Sequence, residues 1–379
     1  MKFAPKGENS FYDAVKTRVE DYFRTNNISQ HATTEMRIKT ITMLALYFVP
    51  YFFIVTGAAA VSTWLFLGMW FIMGIGIVGL GTCVMHDSNH GSYSENKTLN
   101  NILGSVINLI GGFALNWKIQ HNILHHTYTN LDGLDEDIDA GPVLRMSPHK
   151  EHRGFHRFQH IYAWFVYCIM NLFWVTVKDY RQLIRYEKFG LLRNQKTTLR
   201  KAVTELSLIK VFYIAYMIVL PLMFSGMSWQ MVTAGFVVMQ IVAGLSLACI
   251  FQPAHVMESS DYAAPTEERK MENAWAVHQV LNTADFCPKS KITSWFMGGL
   301  NYQIEHHLFP QVCHMHYPKI APIVRETALE YGLPYNVYPT FLDALIEHGK
   351  MLKQLGKKPV PVSVKKSQVA AHSLAEADY

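Results

Sequence analysis

The feature that most constrains the fold is a long stretch, from position 41 to position 84, that contains no charged side chain. A helix needs about 20 apolar residues to cross the hydrocarbon core of a bilayer. The stretch therefore predicts two membrane-spanning helices, at 41–60 and 63–84, joined by a tight turn. A second apolar stretch repeats this pattern at 208–225 and 229–251, with only Ser-Gly-Met-Ser between its halves.

Composition agrees with a membrane protein, because 50% of the residues are hydrophobic and only 17% are charged. The sequence predicts an all-α integral membrane protein with four transmembrane helices in two hairpins, interfacial helices and a cytosolic helical cap. Its expected divisions are an N-terminal cytosolic helix in 1–35, a membrane domain in 36–348, and a helix end with a disordered tail in 349–379. Within the membrane domain, 85–207 and 252–348 are expected to be cytosolic.

Two shorter apolar runs, 101–116 and 161–177, are too short to cross a bilayer comfortably. We expect the first to lie at the interface or to insert halfway. The second separates groups of histidines that must share one side of the membrane if they form one site, so an even number of crossings must lie between them. Residues 161–177 are therefore expected to lie along the interface, with Trp164 and Trp174 among their anchors.

Smaller elements flank the membrane region. Phe11, Val15, Val19 and Phe23 recur every four residues, which predicts an amphipathic helix over 9–24. Two further helices are expected at 318–331 and 341–355. Pro318 suits a first helical position and Thr340 suits an N-cap.

Charge and cysteine content place the soluble parts in the cytosol. Lys and Arg concentrate at 37–39, 145–157 and 178–201, whereas the turns inside the two hairpins carry none, as the positive-inside rule requires of a cytosolic face. A net charge of +5 suits contact with anionic lipids and is too mild to indicate nucleic-acid binding. The five cysteines are widely spread, without a Cys-x-x-Cys pair, so neither disulfides nor a thiolate metal site are expected.

Three histidine clusters carry the chemistry. They read His-Asp-Ser-Asn-His from His86, His-Asn-Ile-Leu-His-His from His121, and Gln-Ile-Glu-His-His from Gln303. Histidines four apart lie on one helix face and can aim two imidazoles at one point. Neutral imidazole suits iron, zinc, copper and nickel. One four-coordinate ion cannot use so many nitrogen ligands, so the pattern indicates two metal ions.

In type, order and position relative to the helix pairs, these clusters resemble the three histidine boxes of the membrane fatty acid desaturases, over roughly residues 35–330. Gln303, in place of the first histidine of the third box, resembles the front-end (delta-5/delta-6-like) desaturases, which insert a double bond between an existing one and the carboxyl end. The resemblance implies a fatty acyl desaturase that introduces a cis double bond by O2-dependent hydrogen abstraction. No His-Pro-Gly-Gly haem motif of a fused cytochrome b5 occurs, as in bacterial-type members.

The resemblance also implies a centre of two Fe ions held by the box histidines and at least one further ligand, with O2 as co-substrate. Carried over to this chain, the implied ligands are His86, His90, His121, His125, His126, His306 and His307. His255 is the favoured additional ligand and His278 the runner-up. Gln303 is expected either to ligate weakly or to orient a neighbour.

Polar side chains near the clusters are expected to hold imidazole N–H groups as outer partners of the metal ligands. The candidates are Asp87, Asn89, Asn122, Asp135, Asp137 and Glu305. Another group, His149, His152, His156 and His160, is spaced along one helical face but interleaved with Lys and Arg. We interpret that group as a head-group or acyl-carrier contact, or as a solvated face, and not as a metal site.

The implied partners are membrane lipids, an acyl substrate on coenzyme A, on a carrier protein or in a phospholipid, and an external electron donor, either a ferredoxin or a separate cytochrome b5. Two other kinds of function stay open. One is a sphingoid-base desaturase or a hydroxylase on the same scaffold. The other is a membrane zinc hydrolase or receptor, which would contain zinc without redox activity.

Overall fold

Helices make up nearly all regular structure of the computed structural model, which describes residues 1–5, 7, 10–264 and 270–358. In chain order they are α1 (Phe11–Thr25), α2 (Thr34–Val55), α3 (Thr63–His90), α4 (Lys97–Leu109), α5 (Ala114–Tyr128), α6 (Gly154–Lys188), α7 (Leu199–Phe224), α8 (Trp229–Ala254), α9 (Trp275–Leu281), α10 (Lys291–Phe296), α11 (Gln303–Leu308), α12 (Tyr317–Glu330) and α13 (Phe341–Leu355). Short helical turns lie at Ala58–Val61, Leu191–Asn194 and His314–His316. Two-residue strands β1 (Asp285–Phe286) and β2 (Val337–Tyr338) pair in parallel. The tail predicted to be disordered lies, from residue 359 onward, outside the described residues.

Five of these helices, α2, α3, α6, α7 and α8, are long and apolar enough to cross a membrane. The four helices predicted to cross are among them. The fifth is α6, whose middle is the run 161–177 that the sequence placed at the interface. Its helix continues at both ends through polar residues to a length of 35 residues, which the apolar run alone did not indicate.

The long apolar helices pack closely because glycines stand where they meet. A Cβ atom on Gly76 of α3 would lie 2.9 Å from the backbone nitrogen of Tyr47 in α2. On α8, a Cβ atom on Gly244 would lie 2.7 Å from the carbonyl oxygen of Tyr167 in α6. Small residues of this kind let helix backbones approach in a membrane, where dispersion contacts drive association.

Helices α4 and α5 form a bent pair, with an angle of 110° between them. This pair covers the run 101–116 that was expected to lie at the interface or insert halfway. Non-helical backbone at membrane depth needs hydrogen-bond partners from the protein. The hydroxyls of Tyr47 and Tyr216 donate to the carbonyl of Leu109, and Lys210 Nζ lies 2.6 Å from the carbonyl oxygen of Gly111.

The name cap is used for α1, α9–α13 and the loop 129–153. Its helices pack as their sequence pattern predicts. The apolar stripe of α1, Phe11, Val15, Val19 and Phe23, is buried in one cluster with residues of α9 and α12. The Thr340 hydroxyl accepts from the backbone N–H of Asp343 at 3.1 Å, which confirms the predicted N-cap of α13.

Candidate metal centre

The first two histidine clusters stand at the ends of π-helical turns. The turn Leu80–Met85 lies inside α3 just before His86, and the turn Lys118–His125 lies inside α5. A π-helical turn is wider than an α-helical one and is frequent at functional sites. Two more such turns, at Trp174–Lys178 and Ala215–Val219, contain no candidate ligand. The local backbone thus differs from the regular α-helix that the four-residue spacing predicts, although the histidines still converge.

One group of imidazoles combines all three clusters. A ring nitrogen from each of His86, His90, His121 and His306 lies within 4.8 Å of the others. The Nε2 atoms of His86 and His121 are 3.1 Å apart. His126 adjoins this group, since its Nε2 lies 3.2 Å from that of His121 and 3.0 Å from that of His306.

A second group consists of His125, His255 and His307, again with one nitrogen from each within 4.8 Å. The Nδ1 atoms face oxygen atoms: Asp135 Oδ2 at 3.0 Å from His125, the Asn282 carbonyl at 3.3 Å from His255, and Gln279 Oε1 at 2.8 Å from His307. The three Nε2 atoms are buried and have no hydrogen-bond partner among the described residues.

The nitrogen positions fit metal ions. Nitrogen atoms bound to one ion at about 2.1 Å stand about 3.0 to 3.4 Å apart in octahedral or tetrahedral geometry, and the Nε2 contacts of the first group are that long. Two nitrogen lone pairs facing each other repel unless a proton or a cation lies between them. In the second group, the three buried Nε2 atoms have no hydrogen-bond partner among the described residues, so they too require a proton or a cation.

Burial favours the neutral form of most of these rings, whereas at His125 the carboxylates of Asp135 and Asp137 outweigh burial and raise the pKa to about 9. Burial and neighbouring imidazoles lower the pKa of His306 and His307 well below its ordinary value, and burial lowers the pKa of His255 to about 4. Neutral imidazole is the form that binds a metal. The donor set therefore suits a divalent transition ion in each group.

Carboxylates lie beside several of these imidazoles. Asp135 contacts His125 through both oxygens, at 3.0 and 3.1 Å from Nδ1. Asp137 Oδ2 lies 3.4 Å from His125 Nδ1 and 3.7 Å from His121 Nδ1. Asp87 Oδ1 lies 3.9 Å from His86 Nδ1. Such contacts fix the orientation of a ligand ring.

Three other residues predicted as outer partners, Asn89, Asn122 and Glu305, form hydrogen bonds to groups other than an imidazole. Asn122 Nδ2 donates to the backbone carbonyl of Asn89 at 2.9 Å, and Asn89 Nδ2 donates to the carbonyl of Gly104 at 3.1 Å. Glu305 accepts from the hydroxyl of Tyr335 at 2.9 Å, and the same hydroxyl lies 2.7 Å from Asp285. Burial raises the pKa of the Asp285 and Glu305 carboxyls. The Tyr335 hydroxyl links Glu305 of α11 to Asp285 of β1.

His278 and Gln303 lie outside both imidazole groups. His278 Nε2 is 2.8 Å from the carbonyl oxygen of Thr129, and its Nδ1 faces Asn282 at 3.3 Å. Gln303 is buried, and its Nε2 has no hydrogen-bond partner among the described residues. Between His255 and His278, only His255 places a ring nitrogen among the other candidate ligands.

The four histidines near α6 do not share one helical face, and they differ in exposure: His149 is exposed, His152 and His160 are half-buried, and His156 is buried. His149 and His152 precede the helix, and His156 is buried at its start. Their Nε2 atoms bond backbone carbonyls, of Tyr262 at 2.6 Å, Gly356 at 2.9 Å and Pro142 at 3.0 Å respectively. These bonds fasten three of the histidines to nearby backbone, and the interpretation of the group as a head-group or carrier contact, or as a solvated face, stays a prediction.

Sequence reasoning missed several partners of the candidate ligands. Gln279 Oε1 faces His307, and Thr129 Oγ1 donates to that same oxygen at 2.7 Å. Tyr317 OH lies 3.3 Å from His306 Nδ1. Gln279 and Tyr317 lie well outside the boxes in sequence, whereas Thr129 closely follows the second box. Gln279 directly follows His278, so the sequence pointed to the right segment, although the side chain that contacts a candidate ligand there is Gln279.

Long apolar helices and a buried cluster of eight convergent histidines define a multi-histidine metalloprotein of the membrane. The chain belongs to the fatty acid desaturase family, whose model, described as Fatty acid desaturase, matches residues 62–339. It is therefore an oxidoreductase and a desaturase of fatty acyl chains, as the histidine boxes indicated.

Curated relatives align over nearly the whole chain. It is 35% identical over 349 residues to the sn-1 linoleoyl-lipid 6-desaturase of Arthrospira platensis, covering 92% of this chain and 93% of that protein. It is 33% identical to the protein of the same name from Synechocystis sp., covering 94% and 98%. It is 36% identical to the acyl-lipid (8-3)-desaturase of Physcomitrium patens, covering 94% and 74%.

Proposed function

We propose that this desaturase acts on acyl chains of membrane lipids and places the new double bond on the carboxyl side of an existing one. The observation that carries the regiochemistry is Gln303 at the head of the third box, the front-end pattern. The lipid form of the substrate is supported by relatives 33–36% identical, which are named as acyl-lipid or linoleoyl-lipid desaturases. Their names also support a bond near the carboxyl end.

The proposed centre contains two iron ions. The ligands of one would be His86, His90, His121 and His306, those of the other His125, His255 and His307, with His126 between the two groups. When bound, iron supplies the oxidising power, drawn from O2, that removal of hydrogen from an unactivated methylene pair requires. The overall balance is CH2–CH2 plus O2, two electrons and two protons, giving CH=CH and two water molecules.

The protein's own residues hold this centre rigid and dry. Asp135 and Gln279 keep the Nδ1 atoms of His125 and His307 engaged, which leaves each Nε2 directed inward. Both the carboxylate and the amide are buried, so bulk water does not compete for these hydrogen bonds. Rigid placement favours loss of the second hydrogen over oxygen transfer, because both methylenes stay in reach.

We further propose that α2, α3, α7 and α8 cross the membrane and that α6 does not. The support comes from the two ends of α6. Gln159, near its start, bonds the backbone of Arg145 and Leu352 in the cap, and Gln182, near its end, lies 2.6 Å from Gln120, one residue before His121. Both ends thus lie on the side of the histidine site, which we place in the cytosol, where an external ferredoxin or cytochrome b5 delivers electrons.

The test is the fatty-acid profile of a host that expresses this chain with a compatible electron donor and is supplied with a mono- or diunsaturated acid. We expect a new double bond on the carboxyl side of the existing one, found mainly in membrane lipids. A His125→Ala variant at equal expression serves as the control and should give no product. A new bond on the methyl side would contradict the regiochemistry, and a product only on long-chain bases would favour a sphingoid substrate.

A further inference from the structure

One lysine lies buried on the first membrane helix, close to the histidine site. Lys39 of α2 is fully buried, and its Nζ lies 2.7 Å from His314 Nε2 and 5.3 Å from the centre of the Trp295 ring. Ionisable groups are costly within membrane helices and are kept there mainly for function. No carboxylate pairs with Lys39 among the described residues, so its bond to His314 needs an explanation.

The bond fixes which nitrogen of His314 carries hydrogen. An ammonium group has only donors, so Nε2 of the histidine must accept. The proton of a neutral ring is then on Nδ1, which lies 2.9 Å from Asp87 Oδ2. Burial lowers the pKa of His314 to about 4, so the ring is neutral at physiological pH. The backbone N–H of His314 donates to the same oxygen at 3.2 Å.

Asp87 adjoins a candidate ligand at its second oxygen. Its Oδ1 lies 3.9 Å from His86 Nδ1, which is buried and has no hydrogen-bond partner among the described residues. The other nitrogen of His86 faces His121 inside the first imidazole group. A continuous row of side chains, Lys39, His314, Asp87 and His86, therefore joins the first membrane helix to the site.

We infer that Lys39 is a positioning residue, which fixes the tautomer of His314 and thereby holds the Asp87 carboxylate against the non-ligating nitrogen of His86. This inference rests on the metal centre proposed above. A separate metal site at Asp87, Cys313 and His314, whose ligand atoms lie within 4.8 Å, is disfavoured because the ammonium of Lys39 already occupies the lone pair of His314.

The test measures iron retention in the purified full-length protein. Iron per protein is determined first, and then the rate of iron loss to a colourless chelator in excess. Loss of an outer partner typically weakens metal binding about 10- to 100-fold. We expect Lys39→Met to lose iron of the first group about tenfold faster than the wild type. Lys39→Arg, which keeps a charged donor, should retain iron better than Lys39→Met.

The matched control is Lys210→Met, which removes the other buried membrane lysine. Lys210 pairs with Asp179 at 2.6 Å and touches neither His314 nor Asp87. It should lower the melting temperature and leave the rate of iron loss unchanged. Lys39→Met with a native far-ultraviolet spectrum and wild-type iron retention would overturn the inference and assign Lys39 a purely structural role.

A double variant tests the row itself. If Lys39 acts through His314, then Lys39→Met combined with His314→Gln should lose iron no faster than His314→Gln alone. Additive effects would overturn the inference. Because these readouts do not depend on turnover, a wrong substrate assignment leaves them intact, whereas a wild-type protein that binds no iron contradicts the centre itself.

Discussion

At the scale of single residues, His255 and His278 offer a paired comparison. Both are buried, and both were candidates for the ligand outside the boxes. The Nε2 atom of His255 has no hydrogen-bond partner among the described residues, and a ring nitrogen of His255 lies close to those of His125 and His307. The Nε2 atom of His278 is instead hydrogen-bonded to the carbonyl of Thr129. We expect His255→Ala to bind about one iron ion fewer per protein and to lose activity, as measured by metal analysis and product formation.

His278→Gln is the control for that change. It should keep the full iron content, because the ring it removes lies outside both imidazole groups. Some loss of melting temperature is expected, since a buried hydrogen bond to Thr129 is weakened. The reverse pattern, with iron lost only from the His278 variant, would contradict the assignment of His255.

A buried histidine of the cap predicts a pH effect on stability. His348 donates from Nδ1 to the Val256 carbonyl at 2.9 Å and accepts at Nε2 from the Tyr167 hydroxyl at 2.7 Å. Burial lowers its pKa from 6.5 to about 4. As pH falls, His348 therefore binds a proton in the unfolded chain at a higher pH than in the folded protein. The free energy of unfolding should be unaffected by this group above pH 6.5 and should decline between pH 6.5 and 4, by up to about 3 kcal/mol.

Chemical unfolding of the wild type and of His348→Gln, in detergent at several pH values from 7.5 to 4.5, checks this expectation. The variant should be less stable at pH 7.5, yet its stability should fall less on acidification. Other buried histidines contribute equally to both proteins, so the difference isolates His348. Parallel curves would show that His348 does not titrate between the two states.

At the scale of elements, the turn between α4 and α5 depends on a glycine. Gly111 has a positive φ of 92°, and a Cβ atom there would lie 2.6 Å from the Val175 side chain and 2.9 Å from that of Tyr213. Gly133 also has a positive φ, of 78°, but nothing lies within 4 Å of its Cβ position. The two glycines thus separate backbone strain from crowding.

We expect both Gly111→Ala and Gly133→Ala to lose about 1–2 kcal/mol from the left-handed backbone. Overpacking should cost Gly111→Ala about 1–3 kcal/mol more. Thermal unfolding of the two variants in the same detergent measures the difference. Equal melting temperatures would mean that the turn relaxes around the added methyl group.

Elements also show how far sequence reasoning reaches. The histidine boxes, the hairpins and the stripe of α1 follow from spacing and hydropathy, which depend on residues close in the chain. The π-helical turns at Leu80–Met85 and Lys118–His125 were not predicted, because the spacing of the histidines is equally compatible with a regular α-helix. The hydrogen-bond partners of the imidazoles depend on tertiary structure. Asn89 and Asn122 lie inside boxes yet donate to backbone carbonyls, whereas Gln279 contacts His307 from a separate helix.

At the scale of the whole molecule, the proposed topology predicts which surfaces face the cytosol. Glu151 and Asn194 are exposed residues flanking α6, and Gln230 is exposed just after the turn between α7 and α8. Cysteines introduced singly at Glu151 and Asn194 should both react with a membrane-impermeant maleimide in inverted vesicles. A cysteine at Gln230 should react only from the opposite face, because α7 lies between.

The background for this experiment replaces the five native cysteines by alanine, since three of them are only partly buried. Retained desaturase activity shows that the background folds. Labelling of Glu151 and Asn194 from opposite faces would mean that α6 crosses the membrane, which would contradict the four-span topology. Labelling of all three positions from one face would contradict the proposal that α7 and α8 cross the membrane.

The place of His126 between the two imidazole groups has a consequence for assembly of the protein. Its Nε2 lies within 3.2 Å of ring nitrogens of the first group, while its ring stacks on His307 of the second at 4.4 Å. An ion that settles in one group orders a side chain needed beside the other, so part of the entropic cost of the second ion is already met. We expect filling to be cooperative: under iron scarcity a cell would hold a mixture of empty and fully loaded molecules, with few carrying a single ion.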